Sequence, residues 1–351
     1  MSVLPTRMLL FPNREEKSDW QQYSSPESGK PLMSVVLYRA VVVAGPTASG
    51  KTALALALAE ALDGEIVNFD SVQLYRDFDF GTAKPTRKEM ERVPHHLIGV
   101  ADARAPWTAG EYARQARPVV EAIAARGKLP ILAGGTGFYL RALLEGLSPA
   151  PAASEELRQK LRRRTPEQLH RLLARLDPEA AGRIAGRDAE RAIRTLEVRL
   201  LSGRPQEAGW RAAPPEAWRE LRTVKLGLAP ERAALYARIE RRAAAMFAGG
   251  IQEETRRLLG VYPAELRIWS SHGYKQACDI VLRGADAAAA LAEAQQEQRH
   301  YAKRQWTWFR ADPAMHWLGG FGDEPAIQGA ALQTVRDAGA AGASSRGADR
   351  A

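Results

Sequence analysis

The sequence predicts an α/β protein with a P-loop-type parallel sheet core, helices on both faces and an all-helical insertion domain. Three observations predict it. Apolar runs typical of buried strands alternate with helix-forming segments between residues 34 and 147. One such run enters the pattern G-x-x-x-x-G-K-[ST], and a helix-forming segment leaves it. From Glu155 to about Lys225 the chain is helix-like and rich in arginine, with no convincing strand.

Length and composition limit the class of protein. A chain of 351 residues indicates two domains, or one large domain with an insertion. Its 45% apolar and 26% charged residues are typical of a soluble globular protein. The single cysteine, Cys278, excludes a disulfide framework and favours a reducing compartment. No apolar run approaches the roughly 18–20 residues that span a bilayer. We therefore expect a cytoplasmic protein without a membrane anchor.

The chain is basic, with a net charge of +9 and a pI near 9.8. The region 155–225 holds 17 Lys/Arg against 11 Asp/Glu, a local net charge of +6. This excess favours a polyanionic partner, although the amino-acid bias of a GC-rich genome gives the same signal.

The predicted elements of the first part follow one another at short intervals. The strands are Ala40–Ala44, Gly64–Phe69, Pro94–Val100 and Lys128–Gly134, and the helices are Ala53–Leu62, Ala109–Arg126 and Gly137–Leu144. After the insertion we expect a strand at Thr223–Leu228, helices at Pro230–Leu259 and Ala285–Arg310, and a last strand at Met315–Leu318.

These elements divide the chain into five segments. They are a disordered extension (1–32), the first part of the catalytic core (33–150), a helical RNA-binding insertion (151–222), the second part of the core (223–320) and a mostly disordered tail (321–351). Met33, which directly precedes the first strand, is a candidate start of the native protein.

The glycine-rich stretch between the first strand and the first helix is a candidate phosphate-binding loop of the kind found in nucleotide-binding proteins. It reads Gly45-Pro46-Thr47-Ala48-Ser49-Gly50-Lys51-Thr52. In this pattern, backbone N–H groups and the positive end of the helix dipole point at one anion. Lys51 adds a charge, and the Thr52 hydroxyl can help to hold Mg²⁺. The pattern predicts a di- or triphosphate and does not distinguish ATP from another one; an ordinary glycine-rich turn is the alternative.

Asp70 follows the second predicted strand, at the sheet edge where open α/β folds bind ligands. Three roles remain open. Asp70 could hold Mg²⁺ beside the phosphate loop, act as a general base, or simply cap the next turn.

Two further stretches also allow two interpretations. Gly134-Gly135-Thr136 repeats the order of strand, glycine pair, hydroxyl and helix, which fits either a second approach to a ligand or a tight turn. Arg299–Arg310 interleaves basic and aromatic residues, which fits either RNA contacts or a helix that buries its Trp face. His95 and His96 lack companion ligands for zinc.

Taken together, these motifs resemble the tRNA dimethylallyltransferases (isopentenyltransferases) from about residue 35 to 318. The matching stretches, in the family's order, are Gly45–Thr52, Asp70–Arg76, Gly81–Pro85, Gly134–Tyr139, Arg194–Val198, Gly273–Gln276 and Tyr301–Gln305 with Thr307–Arg310. Phe69, Phe80 and Ile268–His272 depart from the usual pattern.

The resemblance implies transfer of a dimethylallyl group from dimethylallyl diphosphate to N6 of the adenosine 3′-adjacent to the tRNA anticodon. It implies that Gly45–Thr52 holds the diphosphate, with Thr47, Ser49 and Thr52 facing diphosphate and Mg²⁺. It implies Asp70 as the general base, assisted by Thr47, Lys51 and Thr136. The residues implied in tRNA contact are Asp70, Ser71, Val72, Gln73, Thr136, Gln159, Glu190, Arg191, Ala192, Ile193 and Arg194.

The partners implied are therefore the tRNA anticodon arm and the prenyl donor, and we expect a monomer. The alternatives are an adenylate isopentenyltransferase, an ATP-dependent small-molecule kinase, and an RNA-binding protein that uses a nucleotide as a switch. The basic insertion argues against a free nucleotide as acceptor.

Overall fold

A six-stranded, all-parallel sheet forms the centre of the protein, whose computed structural model describes residues 38–205 and 215–348. The strands are β1 (Tyr38–Ala44), β2 (Gly64–Asn68), β3 (His95–His96), β4 (Leu129–Ala133), β5 (Leu221–Leu228) and β6 (Met315–Leu318). Their spatial order is β3-β2-β4-β1-β5-β6, and every neighbouring pair is parallel. The predicted parallel sheet is confirmed.

Helices cover both faces of this sheet. Their bounds are α1 (Lys51–Leu62), α2 (Arg87–Arg92), α3 (Ala109–Ala125), α4 (Gly137–Leu144), α5 (Glu155–Arg162), α6 (Pro166–Leu176), α7 (Pro178–Arg183), α8 (Ala189–Ser202), α9 (Arg232–Ala248), α10 (Ile251–Leu259), α11 (Tyr274–Arg283), α12 (Ala287–Arg310) and α13 (Pro325–Ala348). A short 3₁₀ helix spans Arg267–Ser270.

Successive side chains of a strand point to opposite faces of the sheet, and in β1 the side chains on both faces are apolar. Val42 of β1 joins the core that contains α3 and α4, whereas its neighbours Val41 and Val43 pack on α1. All three side chains are at most 1% exposed. A strand that is apolar on both faces needs helices on both sides, as in other parallel sheets.

The third strand is much shorter than the predicted Pro94–Val100. Only His95–His96 pair with β2, because the chain takes positive φ angles at Leu97 (60°) and Gly99 (61°). Left-handed backbone cannot continue an extended strand. The apolar pattern carried no sign of this turn.

The described part of the predicted insertion contains helices α5–α8, and strand β5 already begins at Leu221, inside the predicted boundary. Helices α5–α8 share a core of their own, made of Leu161, Leu169, Leu173, Ala180, Ala181, Ala192, Ile193 and Leu196. Polar caps start these helices: Thr165 and Gln168 form a capping box at α6, and Asp188 accepts a hydrogen bond from the Arg191 amide at α8. Residues 206–214 of the predicted insertion lie outside the described residues.

The predicted disordered tail needs a correction, because Pro325–Ala348 forms helix α13. Ile327, Ala331 and Val335 stand four residues apart and lie against the core around α1, with Ala331 fully buried. Such spacing makes one apolar helical face. The Gly/Ala/Ser composition of the tail led us to predict disorder, because this apolar helical face is short. The predicted extension 1–32 lies outside the described residues.

The carboxyl ends of β1, β2 and β4 meet at one edge of the sheet, where ligands bind in folds of this kind. The loops that follow these strands contain the phosphate-loop pattern, Asp70 and the Gly134-Gly135-Thr136 turn. Across the described ranges, no helix is long and apolar enough to cross a membrane.

Candidate active site

The phosphate-loop pattern forms the predicted strand–loop–helix unit. β1 ends at Ala44, and α1 begins at Lys51 with Gly50 as its N-cap in a left-handed conformation (φ 88°). A side chain on Gly50 is excluded because its Cβ would lie 2.7 Å from the backbone nitrogen of Gly322. That nitrogen donates to the Ser49 carbonyl at 2.9 Å, so the C-terminal segment braces the loop from outside. The first amides of α1 have no partner within the helix, which suits an anion.

Two buried cations lie at this loop. The Lys51 ammonium donates to the Pro46 carbonyl at 2.8 Å, and burial lowers the Lys51 pKa to about 8, with Asp70 opposing and Arg242 adding to the shift. Arg242 of α9 donates from Nη2 to the Thr47 hydroxyl at 2.6 Å and to Gln298 Oε1 at 3.3 Å. Burial lowers the Arg242 pKa, and the Asp70 charge opposes that shift. An anion between these cations would stabilise both charges.

Two buried polar atoms of this region have no hydrogen-bond partner among residues 38–205 and 215–348. They are the Ser49 hydroxyl and the Arg242 Nε, both shielded from solvent. Buried polar groups are nearly always hydrogen-bonded. A phosphate group, which offers several acceptor oxygens, is the kind of ligand that satisfies such donors.

Gln305 of α12 ties the phosphate loop to the Gly134-Gly135-Thr136 turn. Its Oε1 accepts from the Thr47 amide at 2.7 Å, and its Nε2 donates to the Gly135 carbonyl at 2.9 Å. A Cβ on Gly135 would lie 2.2 Å from Gln305 Nε2, and one on Gly134 would lie 2.7 Å from the Phe69 backbone. Packing at the turn therefore requires the two glycines, and Gly134 also lines the cleft, so an approach to a ligand at this turn stays a prediction.

Asp70 has one oxygen engaged locally and one directed towards the Gly134–Thr136 turn. Oδ1 accepts from the Val72 amide at 3.0 Å, so the side chain does cap its own turn. A Cβ on Gly135 would lie 3.4 Å from Oδ2, the oxygen not used in that cap. Thr136 lies beside it: its hydroxyl accepts from the Ser71 amide at 3.0 Å and donates to Ser71 Oγ at 3.2 Å. The local cap thus leaves Oδ2 available for a proton.

A single cleft of about 730 Å³ brings most of the predicted residues together. From the predicted set it is lined by Thr47, Ala48, Gly50, Lys51, Thr52, Asp70, Ser71, Val72 and Gln73. Residues added by the structure include Arg238, Arg241, Arg242, His272, Gln298, Tyr301, Gln305 and Asp323. Gly45, Pro46, Ser49 and Thr136 of the predicted set do not line the cleft. An anion site and a carboxylate therefore share one opening.

The predicted RNA contacts of the insertion lie on helices α5 and α8 and do not line the cleft. Gln159, Glu190 and Arg191 are exposed there. The Ala192 and Ile193 side chains are each 3% exposed and pack in the core of α5–α8, so neither side chain can meet a ligand. Their predicted tRNA contact stays a prediction, and it would have to be made by backbone atoms.

Arg194 also has a partner inside the protein. It donates from Nη1 to Glu197 at 2.5 Å and from Nη2 to the Pro151 carbonyl at 3.1 Å. Glu197 is fully buried and is also held by Arg158 at 3.0 Å and by the Ser154 amide at 2.7 Å. Its hydrogen bonds outweigh burial and lower the Glu197 pKa. Arg194 thus neutralises the buried carboxylate of Glu197. This structural role accounts for the arginine without any contact to RNA.

The basic and aromatic residues of Arg299–Arg310 divide between core and surface. Trp306 stacks on Trp317 with ring centroids 6.0 Å apart, and Phe309 is buried. Trp308 remains 41% exposed beside Phe138. The buried side chains confirm that the helix packs part of its aromatic face in the core, and RNA contact by the exposed side chains stays a prediction.

Within the described residues, no group of three or more His, Cys, Asp or Glu side chains could hold a metal ion. Thr52, half-buried at the start of α1, and Asp70 supply only a hydroxyl and a carboxylate. This sparse oxygen set fits Mg²⁺, which keeps several waters and binds largely through substrate phosphates.

Sequence reasoning gave no site role to Arg242, Gln298 or Gln305, although Gln305 lies in the family motif Tyr301–Gln305. Arg242 stands 195 residues from its partner Thr47, and no local pattern marks it. A signal did exist for α12: Gln298, Tyr301 and Gln305 stand three and four residues apart, so they share one helical face. Gln298 and Gln305 are 3% and 4% exposed, and buried amides on such a face indicate a polar site.

Comparison with known proteins gives consistent matches. A family model described as IPP transferase matches residues 73–312. A protein from Koribacter versatilis described as tRNA dimethylallyltransferase is 51% identical over 299 residues, which cover 84% of this chain and 97% of that protein. One from Solibacter usitatus with the same description is 48% identical over the same shares. The solved full-length tRNA isopentenylpyrophosphate transferase from Bacillus halodurans is 34% identical with a TM-score of 0.59, covering 80% of this chain and 89% of that one.

Proposed function

The chain belongs to the IPP transferase family, and from that premise we propose that it transfers the dimethylallyl group of dimethylallyl diphosphate to N6 of the adenosine 3′-adjacent to the anticodon in tRNA. One observation carries the proposal: the cleft joins the phosphate loop and its buried cations to Asp70 and Gln73. One opening thus offers groups that suit a leaving anion and a carboxylate that suits a proton acceptor. We place this reaction in the cytoplasm and assign it to a monomer.

The chemistry needs charge stabilisation on one side and a base on the other. The C–O bond to diphosphate breaks, the N6–C bond forms, and N6 loses one proton. The loop amides, Lys51 and Arg242 stabilise the negative charge that develops on the diphosphate. Asp70 Oδ2 accepts the proton, which makes the weakly nucleophilic amine reactive. The target base must leave its stack to enter the cleft.

Mg²⁺ fits this arrangement through the Thr52 hydroxyl and the substrate's own phosphate oxygens. When bound, it supplies additional neutralisation of the leaving group. The protein's own part is to hold the Thr52 hydroxyl at the first turn of α1, next to the loop amides.

A transfer assay tests the proposed function. The protein is incubated with labelled dimethylallyl diphosphate, Mg²⁺ and either tRNA or AMP. Label in tRNA alone supports the proposal. Label in AMP indicates an adenylate isopentenyltransferase, and turnover of ATP without any label indicates a kinase. Either of these results rejects the tRNA reaction.

The tRNA surface is tested by Arg191→Ala, with Arg194→Ala as its matched control. Arg191 is exposed at the first turn of α8, where it pairs only with Asp188 at 3.3 Å among the contacts described. Loss of one phosphate contact should lower the slope of log K against log salt by roughly 0.9. Arg194→Ala should instead destabilise the fold by about 1–3 kcal/mol, because it weakens the shell around buried Glu197.

Salt-dependent tRNA binding and thermal unfolding separate these two outcomes. If Arg191→Ala has the wild-type slope of log K against log salt, α8 does not belong to the tRNA-binding surface. A lowered slope with unchanged melting in Arg194→Ala contradicts its assignment to the buried pair.

Binding of the prenyl donor should weaken above pH 8. Because the Lys51 pKa is lowered to about 8, the ammonium is charged at pH 7 and loses its proton as the pH rises through that value. Loss of this charge removes an attraction that favours the diphosphate. Affinity should then fall by up to about tenfold per pH unit, the limit for one coupled proton. Titration calorimetry with dimethylallyl diphosphate from about pH 7 to about pH 9.5 measures this.

Lys51→Met provides the control for the pH dependence. The variant should bind the donor weakly at every pH, and the decline above pH 8 should be absent. The same decline in the variant would assign it to another group.

A further inference from the structure

The Glu254 carboxylate lies buried beneath the segment Asp79–Lys84, outside the catalytic cleft. Glu254 belongs to α10 and is 6% exposed. It accepts from the Asp79 amide at 3.1 Å and from the Phe80 amide at 3.1 Å and 3.2 Å, and it also accepts from the Tyr274 hydroxyl. These three donors satisfy a carboxylate that would otherwise be costly to bury. Glu254 lies 175 residues from Asp79 and 174 from Phe80 in sequence, so these contacts join separate parts of the fold.

Tyr274 completes this support from α11. Its ring is fully buried, and a Cβ on Gly81 would lie 2.3 Å from it, so only glycine lets the segment lie on the ring. Above the ring, Thr82 donates its hydroxyl to the Phe78 carbonyl at 2.6 Å, and Lys84 pairs with Asp79 at 2.7 Å. The family motifs Gly81–Pro85 and Gly273–Gln276, which have no part in the chemistry above, therefore meet in one structure.

The segment holds the side chain of Gln73. Gln73 Nε2 donates to the Thr82 carbonyl at 3.3 Å and to the Ala83 carbonyl at 3.0 Å. Both amide hydrogens are thereby used, which leaves Oε1 as the free group of a side chain that lines the cleft. The Gln73 backbone is fixed as well, because its carbonyl accepts from the Gly99 amide at 3.0 Å. The amide cannot rotate without losing both carbonyl partners.

From this chain of contacts we infer that Glu254 is a positioning residue for base selection, acting through the segment Asp79–Lys84 on the orientation of Gln73. The inference rests on the proposed function. With Nε2 held from behind, Gln73 offers only an acceptor to the base. An acceptor suits the 6-amino group of adenine and opposes the 6-oxo group of hypoxanthine, which is itself an acceptor. By holding the segment Asp79–Lys84 in place, Glu254 and Tyr274 thus contribute to the discrimination between adenine and hypoxanthine.

Glu254→Gln is the decisive substitution. It keeps the size of the side chain but replaces one acceptor oxygen with an NH₂ group, which cannot accept from the Asp79 or Phe80 amide. The segment loses an anchor, and the Gln73 amide loses its fixed orientation. Tyr274→Phe is a milder second variant, since it removes only the hydroxyl donor and leaves the ring under Gly81.

The test measures two inhibitors against tRNA prenylation. They are anticodon stem–loop RNAs that carry either N6-methyladenosine or inosine at the target position; the first keeps one N6 hydrogen. For the wild type, the inosine RNA should have a Ki roughly tenfold or more above that of the amino-bearing RNA, as expected when two buried acceptors face each other. In Glu254→Gln this ratio should fall severalfold, to the discrimination that Asp70 alone maintains, while the KM for the prenyl donor stays unchanged. Tyr274→Phe should give an intermediate ratio.

Two controls separate positioning from general destabilisation. Glu65→Gln alters another buried carboxylate, which is held by His96 and Arg126. This variant should leave the Ki ratio at the wild-type value even where its melting temperature falls. In a Gln73→Ala background, Glu254→Gln should cause no further change in the ratio, because contacting residues in one chain of action are not additive.

A wild-type enzyme that prenylates tRNA but does not discriminate the two RNAs overturns the inference. So does a Glu254→Gln or Tyr274→Phe variant with the full wild-type ratio. Neither result touches the proposed function, which fails separately if the wild type transfers no label to tRNA.

Discussion

Replacing Asp70 with Asn should lower the turnover number for tRNA prenylation by about 10²–10⁴-fold, the range expected when a general base is removed. The change is conservative in structure, because an Asn at this position can still accept from the Val72 amide through Oδ1, as Asp70 does at 3.0 Å. The hydrogen bond from the Asp70 amide to Asn68 Oδ1 at 2.9 Å is also kept. What is lost is the acceptor oxygen that faces the incoming amine.

The charge of Asp70 has a second effect that the experiment must control. Asp70 favours the protonated form of Lys51 and raises its pKa, so a neutral Asn lowers that pKa below about 8. Donor binding would then weaken near neutral pH. Turnover should therefore be measured with saturating dimethylallyl diphosphate near pH 7, and tRNA affinity should be measured separately.

Asp70→Glu is the matched variant. It retains a carboxylate but moves it by one methylene, so a partial loss of turnover is expected. An Asn variant whose turnover lies within a few-fold of the wild type would assign the proton to another acceptor. Equal losses of turnover and tRNA affinity would indicate that Asp70 positions the RNA rather than taking its proton.

The parts of this site that lie within one stretch of sequence could be predicted. The phosphate loop is one, because eight consecutive residues between a strand and a helix determine its backbone. Asp70 is another, since its place after β2 follows from the parallel sheet. For the phosphate loop and for Asp70, the local sequence pattern and the position at the carboxyl edge of the sheet are enough to predict that they line a ligand site.

The groups that complete the site come from far along the chain. Arg242, Gln305 and Glu254 reach the loops after β1 and β2 from helices that follow the insertion. Their positions depend on how α9, α10 and α12 pack, which periodicity does not reveal. The stretch around Ala192 and Ile193 shows a related limit, because the sequence did not reveal that these two side chains pack in the core of α5–α8.

The largest loss of donor affinity is expected from Arg242→Met. Truncating one member of a buried charge pair costs about 2–5 kcal/mol, or roughly 30-fold to several thousandfold in affinity for the prenyl diphosphate. Arg242 donates to the Thr47 hydroxyl at 2.6 Å, and its Nε has no partner in the described part of the chain. The diphosphate is the ligand that would satisfy it. Calorimetry with dimethylallyl diphosphate, without tRNA, measures the effect directly.

Arg241→Met is the matched control, because Arg241 precedes Arg242 on α9 and also lines the cleft but is exposed. Its loss should change donor affinity only a few-fold, since exposed charges are screened by water. Stability gives a second criterion. Burial lowers the Arg242 pKa, so desolvation of this charge offsets part of the stability that its hydrogen bonds to Thr47 and Gln298 provide, and Arg242→Met should melt within a few degrees of the wild type. Equal affinity losses in the two variants, or early melting of Arg242→Met, would make Arg242 a structural residue instead of the buried cation that receives the diphosphate.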